Sequence, residues 1–203
     1  MENIIPQGEK KTKIYEEIIK YGLVLGLVFF VFGIILLYLI SGSESFMVSI
    51  IAYPIIFQLI IPIVAVIFLC ISLRKQIGGY WTFRQALKSI FIMFIVGWLL
   101  SFGLNLGYTK LVDRNIITNM QSQIKNNSEV FMKKQGIGEE QLDAEMEKLD
   151  EQFAKQQELS ASTLFKNITI AIPVIFVIAL IFAAIFKRER PISLTNFEDQ
   201  PQA

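Results

Sequence analysis

Of the side chains that commonly carry chemistry, this 203-residue chain has no histidine and one cysteine, Cys70. A Ser-His-Asp or Cys-His pair, a histidine metal site and a histidine pH switch are therefore impossible. One cysteine makes neither an internal disulfide nor a zinc cluster, and Cys70 reads as a buried or interfacial small hydrophobe ahead of a palmitoylated or redox-active one. What has a suggestive spacing is polar and uncharged. Pro54, Gln58 and Pro62 recur every four residues and share a helix face. Each proline lacks an N–H, which frees the carbonyls of Ile50 and Gln58. Such a face either lines a small-molecule or ion site with loosened backbone, or bends a helix whose freed carbonyls are met by neighbouring helices or water. Gly97, Ser101 and Asn105 fall on one face in the same way, Gly103 and Gly107 on another, and Gly22, Gly26 and Gly33 form a third seam. These are small-residue patterns that let helices approach closely.

The elements that position these residues are membrane spans. The chain is 53% apolar and only 18% charged, below the roughly 25% of an average soluble domain. Its apolar residues gather in runs. A bilayer core of about 30 Å needs about 20 apolar residues at helical rise, and residues 21–40, 47–73, 89–108 and 168–186 all qualify without an ionisable side chain. In residues 21–40, 15 of 20 positions are Leu, Val, Ile or Phe. At roughly 0.3–0.6 kcal/mol each, they contribute on the order of 4–9 kcal/mol toward insertion. A cleavable signal peptide is the competing reading, since Lys10, Lys11 and Lys13 precede the run. The stretch exceeds the usual h-region and residues 38–42 lack a small-x-small cleavage site. Absence of alternation excludes a β-barrel. The fold class expected is all-α: a polytopic membrane protein with four transmembrane helices and an extramembrane helical hairpin between the third and fourth.

Orientation follows from Lys and Arg in the flanks. Residues 1–20 hold four lysines, the connection 74–88 holds Arg74, Lys75, Arg84 and Lys88, and the tail 187–203 begins with Lys187, Arg188 and Arg190. These three belong in the cytoplasm, and both termini with them. Residues 41–45 carry only Glu44, and residues 109–167 carry 8 basic and 10 acidic side chains. Both belong on the periplasmic side of a bacterial inner membrane.

In the connection 74–88, Gly78 and Gly79 permit a tight turn, Tyr80 and Trp81 suit the headgroup boundary, and Thr82 caps the helix that follows. The plainer reading of Tyr80, Trp81, Arg84 and Lys88 is a re-entry turn with interface anchors. The sharper one makes the Arg84 and Lys88 face a docking point for anionic lipid or a cytoplasmic partner. Residues 114–135 place Ile116, Ile117, Met120 and Ile124 at helical spacing and read as a prolongation of the third span. Gly136 and Gly138 then break the chain. Leu142, Met146, Leu149 and Phe153 mark one face of the next helix, and Glu129 with Lys133 and Glu151 with Lys155 are supporting pairs four apart. That stripe either packs within the chain or takes a second copy or a periplasmic partner helix.

The string QIGGYWTFRQAL between two spans, the Gly-rich third span, the segment GIGEEQLDAEMEKLDEQF and the closing AAIFKR together resemble a bacterial family, domain of unknown function 4199, found mainly in Bacteroidota. The resemblance runs over residues 21–188, with Gly78, Gly79, Tyr80, Phe83 and Ala86 its most specific part. It implies a small multi-span inner-membrane protein and supplies no mechanism.

Within the spans, Gln58 lies about 16 Å in from Met47 and Gly97 about 16 Å in from Tyr108, so they share a level. The second and third spans are thus expected to pack together, with Gln58 near Gly97 or Ser101 and not bonded to Asn105. Pro173 is expected in the first turn of the fourth span or at a kink in it. For function, the leading expectation is a non-enzymatic scaffold or interaction protein using its periplasmic hairpin. The alternative is a small transporter, channel or accessory subunit with a solute site at Pro54, Gln58 and Pro62, and not a proton-coupled one, since no span holds an ionisable relay. No catalytic residue, metal or cofactor is expected. The partners expected are the lipid bilayer and a second copy or an envelope protein. The near-zero net charge gives no pull toward nucleic acid.

Overall fold

The computed structural model describes residues 7–157 and 161–189. In chain order the elements are α1 (Gln7–Ser41), two π-helical stretches π1 (Val48–Ala52) and π2 (Ile55–Ile60), α2 (Ile61–Gln76), α3 (Phe83–Leu111), α4 (Ile116–Lys134), α5 (Glu139–Gln157) and α6 (Ala161–Phe186). The expectations for Arg190 and the rest of the tail fall outside the described residues. Four helical segments are long and apolar enough to cross a membrane: Thr12–Ser41, Val48–Gln76, Phe83–Leu111 and Phe165–Phe186, with mean hydropathy between 2.0 and 3.1. The all-α, four-span class follows. Each segment is longer than its expected span because the helix continues past it at one end or both.

The centre of the bundle is the α1–α3 pair. In their most apolar windows 22% of residues are buried, against 11% in the second and fourth spans. The cause is glycine. A Cβ at Gly26 would fall 2.7 Å from the Gly97 carbonyl oxygen, one at Gly22 would fall 2.8 Å from Val96 Cβ, and one at Gly97 would fall 3.1 Å from the Gly22 carbonyl oxygen. The two backbones are therefore in direct contact. This corrects the expected pairing: Gly97 meets the first span, not the second. The Gly103 and Gly107 face is open, with nothing within 4 Å of an added Cβ at either.

The other spans fill in around this pair. The α6 helix packs on α3, with edge-to-face contacts between Phe91 and Phe176 at 5.7 Å and between Phe94 and Phe182 at 5.9 Å. Pro173 sits inside α6 and not in its first turn. The α2 helix and π2 pack on α1. Outward side chains of these outer spans, such as Phe68, Ile170 and Ile185, are about two-thirds exposed. Only an apolar solvent suits such a surface.

Helix ends follow local chemistry. Gly78 and Gly79 adopt φ of +106° and +83°, and Gly136 ends α4 with φ of +75°, conformations that cost other residues a clash at Cβ. Thr82 caps α3 as expected, in a reciprocal pair with Gln85. One expectation fails. The α4 helix does not prolong the third span, because residues 112–115 interrupt it; there the Asp113 carboxylate accepts from the Asn115 N–H at 3.1 Å and from the Tyr38 hydroxyl at 3.0 Å. The turn frees α4 to pack on α1.

Substituting Gly26→Ala should lower the melting temperature of the detergent-solubilised protein, an overpacking cost of about 1–3 kcal/mol. Gly103→Ala should leave it unchanged. Equal melting of wild type and Gly26→Ala would show that the helices are not held at this contact.

Candidate functional site

The sequence-predicted polar group is divided by the structure. Gln58, in π2, is exposed, and its side-chain amide makes no hydrogen bond among the described residues. It lies on the wall between two cavities. One, of about 380 Å³, is lined by Gly33, Gln58, Asn105, Thr109 and Met120 among others. The other, of about 340 Å³, is lined by Gln58, Pro62, Phe94, Trp98 and Phe182 among others. Both are within the size range of small-molecule sites. Pro54 and Ser101 line neither, and Gly97 is occupied by α1. Asn105 is turned back on its own helix, its amide donating to the Ser101 carbonyl at 2.8 Å.

The prolines do more than bend the span. Around them the backbone is wound as π-helix: the Tyr53 N–H donates to the Val48 carbonyl and the Ile61 N–H to the Ile56 carbonyl, each five residues back. A residue without an N–H disrupts the four-back register, and a wider turn absorbs the mismatch. Proline spacing announces loosened backbone, but not this form of it.

A second polar constellation was not foreseen. At the end of the bundle where α1 stops, the Ser43 carbonyl accepts from Gln123 Nε2 and from Asn127 Nδ2, both at 2.8 Å. Asn127 also donates to Ser49 Oγ at 3.0 Å, and Ser49 in turn donates to the Ser45 carbonyl at 2.7 Å. Ser43, Ser49 and Asn127 are buried. Beside them Phe46 stacks on Phe131 at 4.3 Å. Gln123, Asn127 and Phe131 are four apart, so this docking face was readable as a stripe. Its target, a carbonyl in a turn, was not.

Past Gly136, α5 packs on α4, and Lys125 of α4 pairs with Asp150 of α5 at 2.5 Å. Leu142 and Met146 are buried, whereas Leu149 and Phe153 are half-buried. The pairs expected four apart are present, Glu129–Lys133 at 2.6 Å and Glu151–Lys155 at 3.3 Å. The Lys133 ammonium holds the Glu129 carboxyl below its usual range.

At the opposite end, Trp81 departs from its expected role as an interface anchor. It is fully buried, because its backbone pairs antiparallel with Arg188: the Trp81 N–H donates to the Arg188 carbonyl at 2.7 Å and the Arg188 N–H to the Trp81 carbonyl at 2.8 Å. Tyr80, Arg84 and Lys88 stay exposed. Cys70 is fully buried in the apolar core beside Leu73 and Trp81. Among the described residues no three His, Cys, Asp or Glu side chains are grouped to hold a metal.

Asn127→Ala should lower the melting temperature, since truncation removes two buried hydrogen bonds and costs about 1–3 kcal/mol. The exposed neighbour Ser122→Ala should not. A melt unaffected by Asn127→Ala would mean that α4 is held by Phe131 and the backbone alone.

No curated protein and no solved structure matches the chain. A family model described as "Protein of unknown function (DUF4199)" matches residues 20–188. That match takes in most of the first span, the other three spans, the glycine turn and the α4–α5 segment, and the chain belongs to the DUF4199 family.

Proposed function

We propose that this is a non-enzymatic protein of a bacterial inner membrane, with both termini cytoplasmic, whose α4–α5 segment stands in the periplasm as a helical hairpin and presents a fixed surface to an envelope protein or a second copy. The observation that carries this reading is the seating of α4. Gln123 and Asn127 fasten it to the turn after α1, so the segment is held at one attitude relative to the spans instead of swinging on a tether. A rigid platform loses less conformational entropy on binding. Because Leu142 and Met146 are already buried, the part of the stripe left for a partner is Leu149 and Phe153. Arg74, Lys75, Arg84, Lys88, Lys187 and Arg188 flank the Trp81–Arg188 bridge end of the bundle, and the positive-inside tendency supports placing that end in the cytoplasm.

A second reading is a solute site, as in a small transporter or accessory subunit. One specific observation favours it: a Gln58 amide without a partner among the described residues, lining two cavities on a span wound as π-helix at that level. Irregular backbone and a free amide are costly in lipid and accepted where they face a cavity.

Two measurements separate these readings. Replacing residues 116–157 by a short linker should preserve insertion of the four spans and remove the partners that crosslink to the hairpin in vivo; an unchanged partner set sinks the association reading. Gln58→Leu should leave both expression and partners intact. If it instead abolishes solute uptake or leak at unchanged protein level, the solute site takes precedence.

A further inference from the structure

At the Trp81 end, a cavity of about 260 Å³ is lined by Ile14, Tyr15, Trp81, Gln85, Lys88 and Ser89, with further apolar wall. Two features single it out. Trp81 is fully buried and its indole N–H has no acceptor among the described residues. An orphaned donor of this kind is rare, and in a native fold it marks a place for a partner that the chain itself does not supply. Lys88, also on the wall, makes no ion pair with a described carboxylate, and its ammonium lies over the Tyr15 ring at 5.3 Å. Among the described residues no acid lines this cavity; Glu16 and Glu17 line another one, and Glu17 is paired with Lys20 at 2.7 Å. The cavity thus carries a positive charge, and a residue of its wall holds an unsatisfied N–H; together they suit an anionic oxygen acceptor.

The surface next to it tells which kind. Tyr15, Ile19, Leu23, Leu27 and Val31 recur every four residues along α1 and are all 38–50% exposed. This apolar track begins at the cavity and runs into the membrane. A free inorganic anion has no use for such a track; an amphiphile does. We infer that the Trp81–Lys88 cavity binds the phosphate of an anionic phospholipid, one acyl chain following the Tyr15–Val31 face of α1. This goes beyond the association reading and does not depend on it. Lys88 supplies charge at the exposed mouth, and the buried Trp81 indole donates a hydrogen bond from the wall.

The test uses the full chain in a neutral detergent. Added phosphatidylglycerol should raise the melting temperature more than phosphatidylcholine of the same chain length, and inorganic phosphate should not raise it. Lys88→Gln should weaken the phosphatidylglycerol effect about tenfold in lipid concentration, the loss expected of one charge-assisted hydrogen bond. Arg84→Gln, at the same end but off the cavity, should not. Trp81→Phe keeps an aromatic ring and the backbone pairing and lacks the N–H, so it too should weaken the response. Equal losses in Lys88→Gln and Arg84→Gln would reduce the effect to general surface charge and overturn the proposal. So would a Lys88→Gln variant that responds like wild type. Stabilisation by inorganic phosphate as strong as that by lipid would overturn the lipid assignment.

Discussion

The structure depends on one close approach. Inside a bilayer there is no hydrophobic gain from putting one apolar helix against another, because lipid tails are as apolar as leucine. What can hold two helices together is dispersion at short range, and that requires surfaces without protruding side chains. Gly22, Gly26 and Gly97 supply these, and the α1 and α3 backbones meet where any Cβ would intrude. The remaining spans settle around this pair through side chains, the buried Ala179 and Ala183 with Phe176 and Phe182 on α6, and Val66, Leu73 and the Phe32–Phe57 ring pair for the second span, and keep most of their surface exposed.

Polar bonding is placed where the bilayer permits it. At one end the Trp81–Arg188 backbone pairing ties the glycine turn to the end of α6. At the other, the Ser43 carbonyl gathers Gln123 and Asn127 and ties α4 to the turn after α1. These clamps act on segments that the membrane alone leaves unfixed. They join elements distant in sequence, so each contributes order out of proportion to its few bonds. Both also create the features that invite functional readings: a docked α4–α5 segment at one end, and a buried indole beside a lysine at the other.

The middle of the bundle contains a different kind of feature. Gln58 is polar at a depth where polarity is expensive, on backbone that two prolines have forced into a wider turn. Had it bonded Asn105 or Ser101, it would read as interhelical glue. Asn105 is instead satisfied by its own helix, and Gln58 faces two cavities. That is why a solute site remains the second reading beside the association we propose.

The sequence by itself determined the four spans, the caps at Thr82 and the glycine turns, because insertion energy and local dihedral preference depend on neighbours along the chain. It also carried the family, in QIGGYWTFRQAL and its flanks. Tertiary structure alone decided which glycines are used: the 22/26 and 103/107 seams read alike, and only packing shows that one is filled and the other open. It likewise decided that Trp81 lies inside and not at the headgroups, that α4 turns back onto α1, and that Leu142 and Met146 are buried. In each case the outcome rests on a contact between residues far apart in sequence, and a one-dimensional pattern gives the spacing of a face without naming what that face will meet.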